Sequence, residues 1–268
     1  MSHPLLPPTT QPFPDPFPEG AILLVDKPLA WTSFDVVNKV RYFLKRRLQV
    51  KKLKVGHAGT LDPLATGLLV ICTGNYTKRI DEFQAMPKAY AGTITFGATT
   101  PSFDLEKAVA ATYPTHHLTE TLLQEAAQQF VGNILQVPPV FSAVKVAGKR
   151  LYKNARTGED VELPHRPVYV ESFTLGPLRP VMTGRTESYV AYDQGGAPIM
   201  LHPDYASGLQ CDFEIVCGKG TYIRSLAHDL GQAVGSGAYL SALRRTGTGG
   251  FSVANAWEMD QLLGWLTG

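Results

Sequence analysis

The feature that most constrains this chain is a set of short, apolar, β-favouring runs at irregular spacing. Ala21-Ile-Leu-Leu-Val25 and Leu68-Leu-Val-Ile-Cys72 are continuously apolar, the pattern of buried strands. Tyr90 to Phe96, the β-favouring residues of Val161 to Leu175 and Asp212 to Cys217 predict further strands, the last alternating like a half-buried one. Helical spacing recurs in three places. Val36, Val37, Val40, Phe43 and Leu44 follow a cap at Thr32 or Ser33. Leu122, Leu123, Ala126 and Phe130 share a face of Leu118 to Val131, ended by Gly132, and Arg224 to Leu230 reads as a helix stopped at Gly231. The strands and helices lack a strict βαβ rhythm, and no internal repeat is present. The expected class is therefore α+β, with a central, mainly antiparallel mixed sheet flanked by helices, not a doubly wound fold.

A chain of 268 residues makes one large domain or two small ones. With 44% hydrophobic and 18% charged residues, it has the material for a filled core. Residues 1–19 contain Pro4, Pro7, Pro8, Pro12, Pro14, Pro16 and Pro18, which fix φ and remove donors; a flexible tail is expected there. No apolar run reaches the roughly 18 residues of a membrane span, and the N-terminus lacks a signal-peptide pattern. Cys72, Cys211 and Cys217 are odd in number with no C-x-x-C pair, which argues against a disulfide framework or zinc knuckle. A cytoplasmic protein without a membrane partner is expected.

The net charge of +2 says little, but its distribution says more. Lys39, Arg41, Lys45, Arg46, Arg47, Lys51, Lys52 and Lys54 fall between Asn38 and Gly56 with no acid among them. Such a concentration suits backbone phosphates, whose counterions are released on binding. A solvated helix face balanced by acids elsewhere is the bland alternative.

That run leads into Gly56-His57-Ala58-Gly59-Thr60-Leu61-Asp62-Pro63-Leu64-Ala65-Thr66-Gly67. Its glycines permit close approach of another chain, and Pro63 biases Asp62 away from helical backbone. A single carboxylate so placed is a candidate catalytic group; alternatively, Asp-Pro merely opens a turn.

The stretch Lys54 to Gly67 resembles the signature of the TruB family of tRNA pseudouridine-55 synthases. Further segments are similar to that family in the same order: Leu24 to Pro28, Trp31 to Asp35, Lys88 to Gly97, Gln136 to Pro139 through Lys145, Gly148 to Lys153 with Ala155-Arg156, Cys217 to Gly231, and Leu240 to Arg245. Together they span roughly residues 20 to 255.

The resemblance implies a pseudouridine synthase fold and an isomerase that breaks an N-glycosidic bond, turns the uracil and rejoins it through carbon. Asp62 takes the role of nucleophile, with a covalent adduct or C2′ proton abstraction both open. Arg224 matches the arginine that keeps the aspartate ionised, and Tyr90 the tyrosine that stacks on the flipped base. Tyr222 and Leu243 correspond to pocket walls, and His57 to the histidine that packs in the T-loop. Lys27 supports the loop or contacts RNA. Arg41, Lys45, Arg46, Lys51, Lys52 and Lys54 are candidates for the RNA backbone. The T stem-loop of tRNA is the implied partner, the protein is expected to be a monomer without an obligate protein partner, and neither metal nor organic cofactor is implied.

The expected organisation is a catalytic domain over 20–250, with an insertion at about 176–208 that is longer than the family usually has. Residues 251–268 then form a short helical tail, too short for a full C-terminal PUA domain. Two rival readings are an RNA-binding or RNA-folding protein whose basic segment matters and whose chemistry is secondary, and a hydrolase using a carboxylate pair. No second acid lies close to Asp62 in sequence to support the hydrolase.

Overall fold

The computed structural model describes residues 5–9, 13–14, 17, 19–139, 165–181, 187–192 and 196–268, with the backbone of two short strands at 145–146 and 149–150. In chain order the first elements are β1 (Ile22–Lys27), α1 (Ser33–Arg47), β2 (Val55–His57) and β3 (Ala65–Thr73). A 3₁₀ turn at Gly74–Arg79, α2 (Ile80–Ala85), β4 (Lys88–Phe96), β5 (Ala98–Thr99), β6 (Ala111–Thr112), α3 (Glu120–Gln128) and β7 (Gly132–Gln136) follow. Then come β8 (Lys145–Val146), β9 (Lys149–Arg150), β10 (Arg166–Leu175), β11 (Arg179–Pro180), β12 (Tyr189–Tyr192), β13 (Pro198–Leu201) and β14 (Leu209–Cys217). The chain closes with α4 (Ile223–Ala233), β15 (Ala238–Thr248), β16 (Phe251–Ser252), β17 (Trp257–Glu258) and α5 (Met259–Thr267).

Two compact units result. The first holds Met1–Tyr90, Ala191–Ile199 and Leu243–Gly268; the second holds Ala91–Val190 and Met200–Ala242.

In the first unit β3 is the central strand. β1 pairs antiparallel along one edge, from Ile22 opposite Cys72 to Lys27 opposite Gly67. The other edge is shared: β15 pairs parallel with Ala65 to Gly67, and β2 pairs antiparallel with Ile71 to Thr73. β17 adds a parallel pairing on β1. Because side chains alternate across a strand, Leu23, Val25, Leu69 and Ile71 face Val36, Val37, Val40 and Leu44 of α1 and Leu262 and Leu266 of α5. Ile22, Leu24, Leu68 and Val70 form a second cluster with Ala58 and Phe83. Burial on both faces explains why β1 and β3 read as unbroken apolar runs.

α1 begins at a capping box: the Thr32 side chain accepts from Asp35 N at 3.0 Å, and Asp35 Oδ2 accepts from Thr32 N at 2.8 Å. Lys45, Arg46 and Arg47 in its last turn oppose the negative end of the helix dipole.

The second unit is built on β14, where Cys211, Phe213, Ile215 and Cys217 are buried and Asp212 and Glu214 exposed, as the alternation predicts. β10 pairs antiparallel with β14, with a register shift between Val170 and Ser172, and antiparallel with β7 on its other side. α3 lies against β10, with Gln124 Nε2 donating to the Leu175 carbonyl at 2.6 Å. The class is α+β, and antiparallel ladders dominate the mixed sheet.

Several local expectations are corrected. Gly231 does not stop its helix: α4 runs to Ala233, and a Cβ on Gly231 would lie 2.4 Å from Ala238 N. Glycine is there so that the helix and the start of β15 can touch. Trp257 lies in β17, not in the terminal helix, and fills the core beside Val36 and Leu262. The loop of 56–67 is shorter than expected, because Gly56 and His57 belong to β2 and Ala65 to Gly67 to β3.

The flexible tail expected for 1–19 is held down at its described residues. Leu6 N donates to the Ile22 carbonyl at 3.0 Å, and Trp257 Nε1 donates to the Leu6 carbonyl at 2.9 Å. Phe13 stacks on Phe17 at 5.1 Å and meets Trp265 at 5.0 Å. Apolar residues between the prolines find the surface of the first unit. In the stretch 176–208, β11 pairs with β14, and Ile199 and Leu201 are buried. Gly184 and Gly195, and the similar segment from Leu151 to Arg156, lie outside the described residues.

Candidate active site

The loop carrying Asp62 is held from both sides by the turn between β1 and α1. Leu61 N donates to Ser33 Oγ at 2.8 Å, and the Ser33 hydroxyl donates to the Leu61 carbonyl at 3.0 Å. Ala30 N donates to the Pro63 carbonyl at 2.9 Å. Lys27 Nζ donates to the carbonyls of Trp31 at 2.6 Å, Pro28 at 2.9 Å and Pro63 at 3.4 Å. Asp62 closes its own turn by accepting from Ala65 N at 3.1 Å. The residues before and after Asp62 are thus bonded to one rigid element, while Asp62 itself stays partly exposed.

Arg245 braces the loop from beneath. Fully buried, it donates through Nε to Leu68 O at 2.6 Å and through Nη2 to Gly59 O at 3.0 Å. Its backbone lies against Gly67, where φ is +101° and a Cβ would sit 2.3 Å from Arg245 O. Only glycine fits there.

This core of cations shapes the electrostatics. Lys27 is 0% exposed, and burial lowers its pKa from 10.5 to about 7 despite the opposing pull of Asp62. Burial, and secondarily the Arg245 charge, push the His57 imidazole below its usual 6.5. Beside Lys27 is a cavity of about 390 Å³ lined by Trp31, Thr66, Glu258 and the Asp26–Arg244 pair. That pair is bidentate at 3.0 and 2.5 Å.

In the second unit, Arg224 is the second residue of α4 and is nearly fully buried. Its Nη1 donates to Ser102 O at 3.1 Å and lies 3.5 Å from Asp104 Oδ2. The helix start is fixed by Gln136 of β7, whose amide accepts from Tyr222 N at 2.7 Å and donates to Tyr222 O at 3.0 Å. Phe103, with a left-handed φ of +62°, stacks on His228 at 3.9 Å. Burial lowers the pKa of His228 and raises that of Asp229 to about 6.

Of the residues singled out by sequence, Lys27, His57, Asp62, Tyr90 and Leu243 lie in the first unit, and Tyr222 and Arg224 in the second. Leu243 sits opposite Ala65 across the β15–β3 pairing. Arg41 is engaged by Asn38 and the Val55 carbonyl at 2.8 and 2.9 Å, and Arg46 by Tyr42 at 3.0 Å. Lys51, Lys52 and Lys54 are exposed and Lys45 half-buried. Sequence reasoning missed Ser33, Arg245, Gln136 and Asp104. Ser33 had a visible signal: Thr32 takes the cap, which leaves the adjacent hydroxyl for another task. Asp104 had none, since it lies far from Arg224 in the chain. Among the described residues, no group of three or more His, Cys, Asp or Glu could hold a metal, and no helix is long and apolar enough to cross a membrane.

The fold has solved counterparts. A chain in the crystal structure of a Cbf5-Nop10-Gar1 complex superposes with a TM-score of 0.57 at 24% identity, covering 91% of this chain and 53% of that one. A chain in an H/ACA RNP bound to a substrate RNA containing 2′-deoxyuridine gives 0.54 at 21%, covering 91% and 52%. This chain spans about half the length of those two, and the likeness shows that they share its fold.

Residues 45–195 match the model of the TruB family pseudouridylate synthase N-terminal domain, and residues 224–267 that of the tRNA pseudouridylate synthase B C-terminal domain. A tRNA pseudouridine synthase B from Phocaeicola vulgatus is 48% identical over 255 residues, covering 93% of this chain and 94% of the relative. Proteins of the same name from Parabacteroides distasonis and Flavobacterium johnsoniae are 50% and 46% identical, covering 87% and 92% of this chain and 87% and 96% of their own. The chain belongs to the TruB family of pseudouridylate synthases, and is an isomerase.

Proposed function

We propose that this protein converts uridine 55 in the TΨC loop of tRNA into pseudouridine, with Asp62 as nucleophile. The name shared by its relatives supports tRNA as the substrate. The observation that carries the assignment of Asp62 is the clamp around it: Leu61 and Pro63 are both bonded to the turn of residues 27–33. A reacting group gains most from being held in one place before the substrate arrives.

The isomerisation breaks the N1–C1′ bond, rotates the uracil and forms a C5–C1′ bond, with one proton leaving C5 and one arriving at N1. Asp62 serves either by a transient covalent bond or by taking the C2′ proton. The base is first turned out of its loop. Tyr90 stacks on it, Tyr222 and Leu243 wall the pocket, and Arg224 holds the carboxylate ionised. Burial and the Arg245 charge disfavour the imidazolium form of His57, which suits packing in the T-loop better than proton transfer. Three backbone carbonyls occupy Lys27, which favours loop support over an RNA contact. Lys45, Lys51, Lys52 and Lys54, with Arg41 and Arg46, line the approach of RNA phosphates. In this account residues 20–250 are the catalytic domain and 251–268 a tail of two short strands and α5, acting as a cytoplasmic monomer without cofactor.

Incubation with an unmodified tRNA transcript, followed by carbodiimide-based primer extension, tests the reading. A single stop in the TΨC loop, lost with Asp62→Asn, is the expected result. Tight tRNA binding with no pseudouridine anywhere would make the protein a binder instead.

A further inference from the structure

On the first turn of α1, Phe34 is 62% exposed, although neighbouring Ser33 and Asp35 are buried. A large apolar ring in water is normal when isolated, so its position decides its meaning. Ser33 is the residue bonded in both directions to Leu61, so Phe34 is one residue from the clamp on Asp62. The capping box at Thr32 and Asp35 fixes the backbone around it.

Helical periodicity puts Phe34, Asn38, Arg41 and Lys45 on one stripe of α1. Arg41 ties that stripe to β2 through the Val55 carbonyl at 2.9 Å, next to exposed Lys54. From Phe34 to Lys45 the helix advances about 16 Å, at 1.5 Å per residue. The stripe therefore has an exposed aromatic ring at the end near Asp62 and cations at the other, with no acid along it. Single-stranded nucleic acid is met by this pairing of a stacking face with a basic track.

Resting on the RNA-modifying function proposed above, we propose that Phe34 is a stacking platform for an unpaired base near the target uridine, with the attached strand running along α1 towards Lys45 and Lys54. Phe34 is a substrate-binding group here and takes no part in bond breaking.

The test is steady-state kinetics on a tRNA transcript with Phe34→Ala, Phe34→Leu and Phe34→Trp, each checked by thermal unfolding. Loss of one base stack is expected to raise KM about tenfold in the alanine and leucine variants, with kcat within about twofold of the parent. Phe34→Trp should restore KM, because any aromatic face stacks. Lys45→Gln should lower the slope of log K against log salt by about one. Unchanged KM in Phe34→Ala, with the parent fully active on tRNA, would overturn the platform and leave the function standing. A fall in kcat with unchanged KM would also overturn it, by making Phe34 a prop for the Ser33–Leu61 clamp. A parent protein that forms no pseudouridine would remove the function and this inference with it.

Discussion

Ser33 and Leu61 hold each other by two reciprocal hydrogen bonds, 2.8 Å from the Leu61 amide to Oγ and 3.0 Å from the hydroxyl to the Leu61 carbonyl. A buried hydroxyl that both donates and accepts is the smallest group able to satisfy both backbone atoms of a loop residue. It joins the first turn of α1 to the residue before Asp62.

Replacing Ser33 with alanine leaves both Leu61 groups short of a partner, at a cost of about 1–3 kcal/mol. The expected outcome is a lower unfolding midpoint and a single-turnover rate reduced about tenfold or more, with tRNA affinity nearly unchanged. A weaker affinity at an unchanged rate would show that the clamp shapes the binding surface and not the reacting group.

Gly67→Ala is expected to destabilise the first unit by about 3 kcal/mol or more, since the added Cβ meets the Arg245 backbone and φ is positive. Urea unfolding measures this. An effect below about 1 kcal/mol would mean that β3 and β15 separate easily there.

The Lys27 ammonium makes stability depend on pH. The unfolded chain keeps this proton up to about 10.5, whereas the folded chain releases it near 7. Between those values the unfolded state binds more protons, so stability rises with pH; below 7 the burial cost is present in full. Lys27→Met removes this titration. The stability of the parent minus that of the variant should therefore increase between pH 7 and 9, by roughly 2–3 kcal/mol. A difference that stays flat across that range would place the Lys27 pKa near its ordinary value.

Asp104→Ala should destabilise the second unit by about 3–5 kcal/mol, because it takes a carboxylate from a buried guanidinium. Asp104→Asn keeps the shape but not the charge, and should show an intermediate loss of both stability and turnover. Equal behaviour of the two variants would reduce the Asp104 contribution to its charge alone.

The parts of this fold legible in sequence were those set by local pattern. β1, β3 and β14 follow their apolar runs, α1 follows its cap and periodicity, and the glycine-rich loop around Asp62 stood out by composition. What was not legible depends on residues distant in the chain. Gly231 reads as a stop unless one knows that Ala238 packs on it. Trp257 reads as helical unless β1 offers an edge for it. Arg245 and Asp104 work through Gly59, Leu68 and Arg224, and no spacing rule points to such partners. Ser33 lies between: its residue type was visible, its partner was not.

The central claim is that the Asp62 carboxylate performs the chemistry. Joining C5 to C1′ expels the hydrogen on C5, so tRNA carrying tritium at uridine C5 reports each turnover directly. The account predicts that the parent protein releases tritium from one uridine per tRNA, and that Asp62→Asn binds the same tRNA with similar affinity but releases none. Tritium release by Asp62→Asn at the parental rate would contradict it and move the chemistry to another residue.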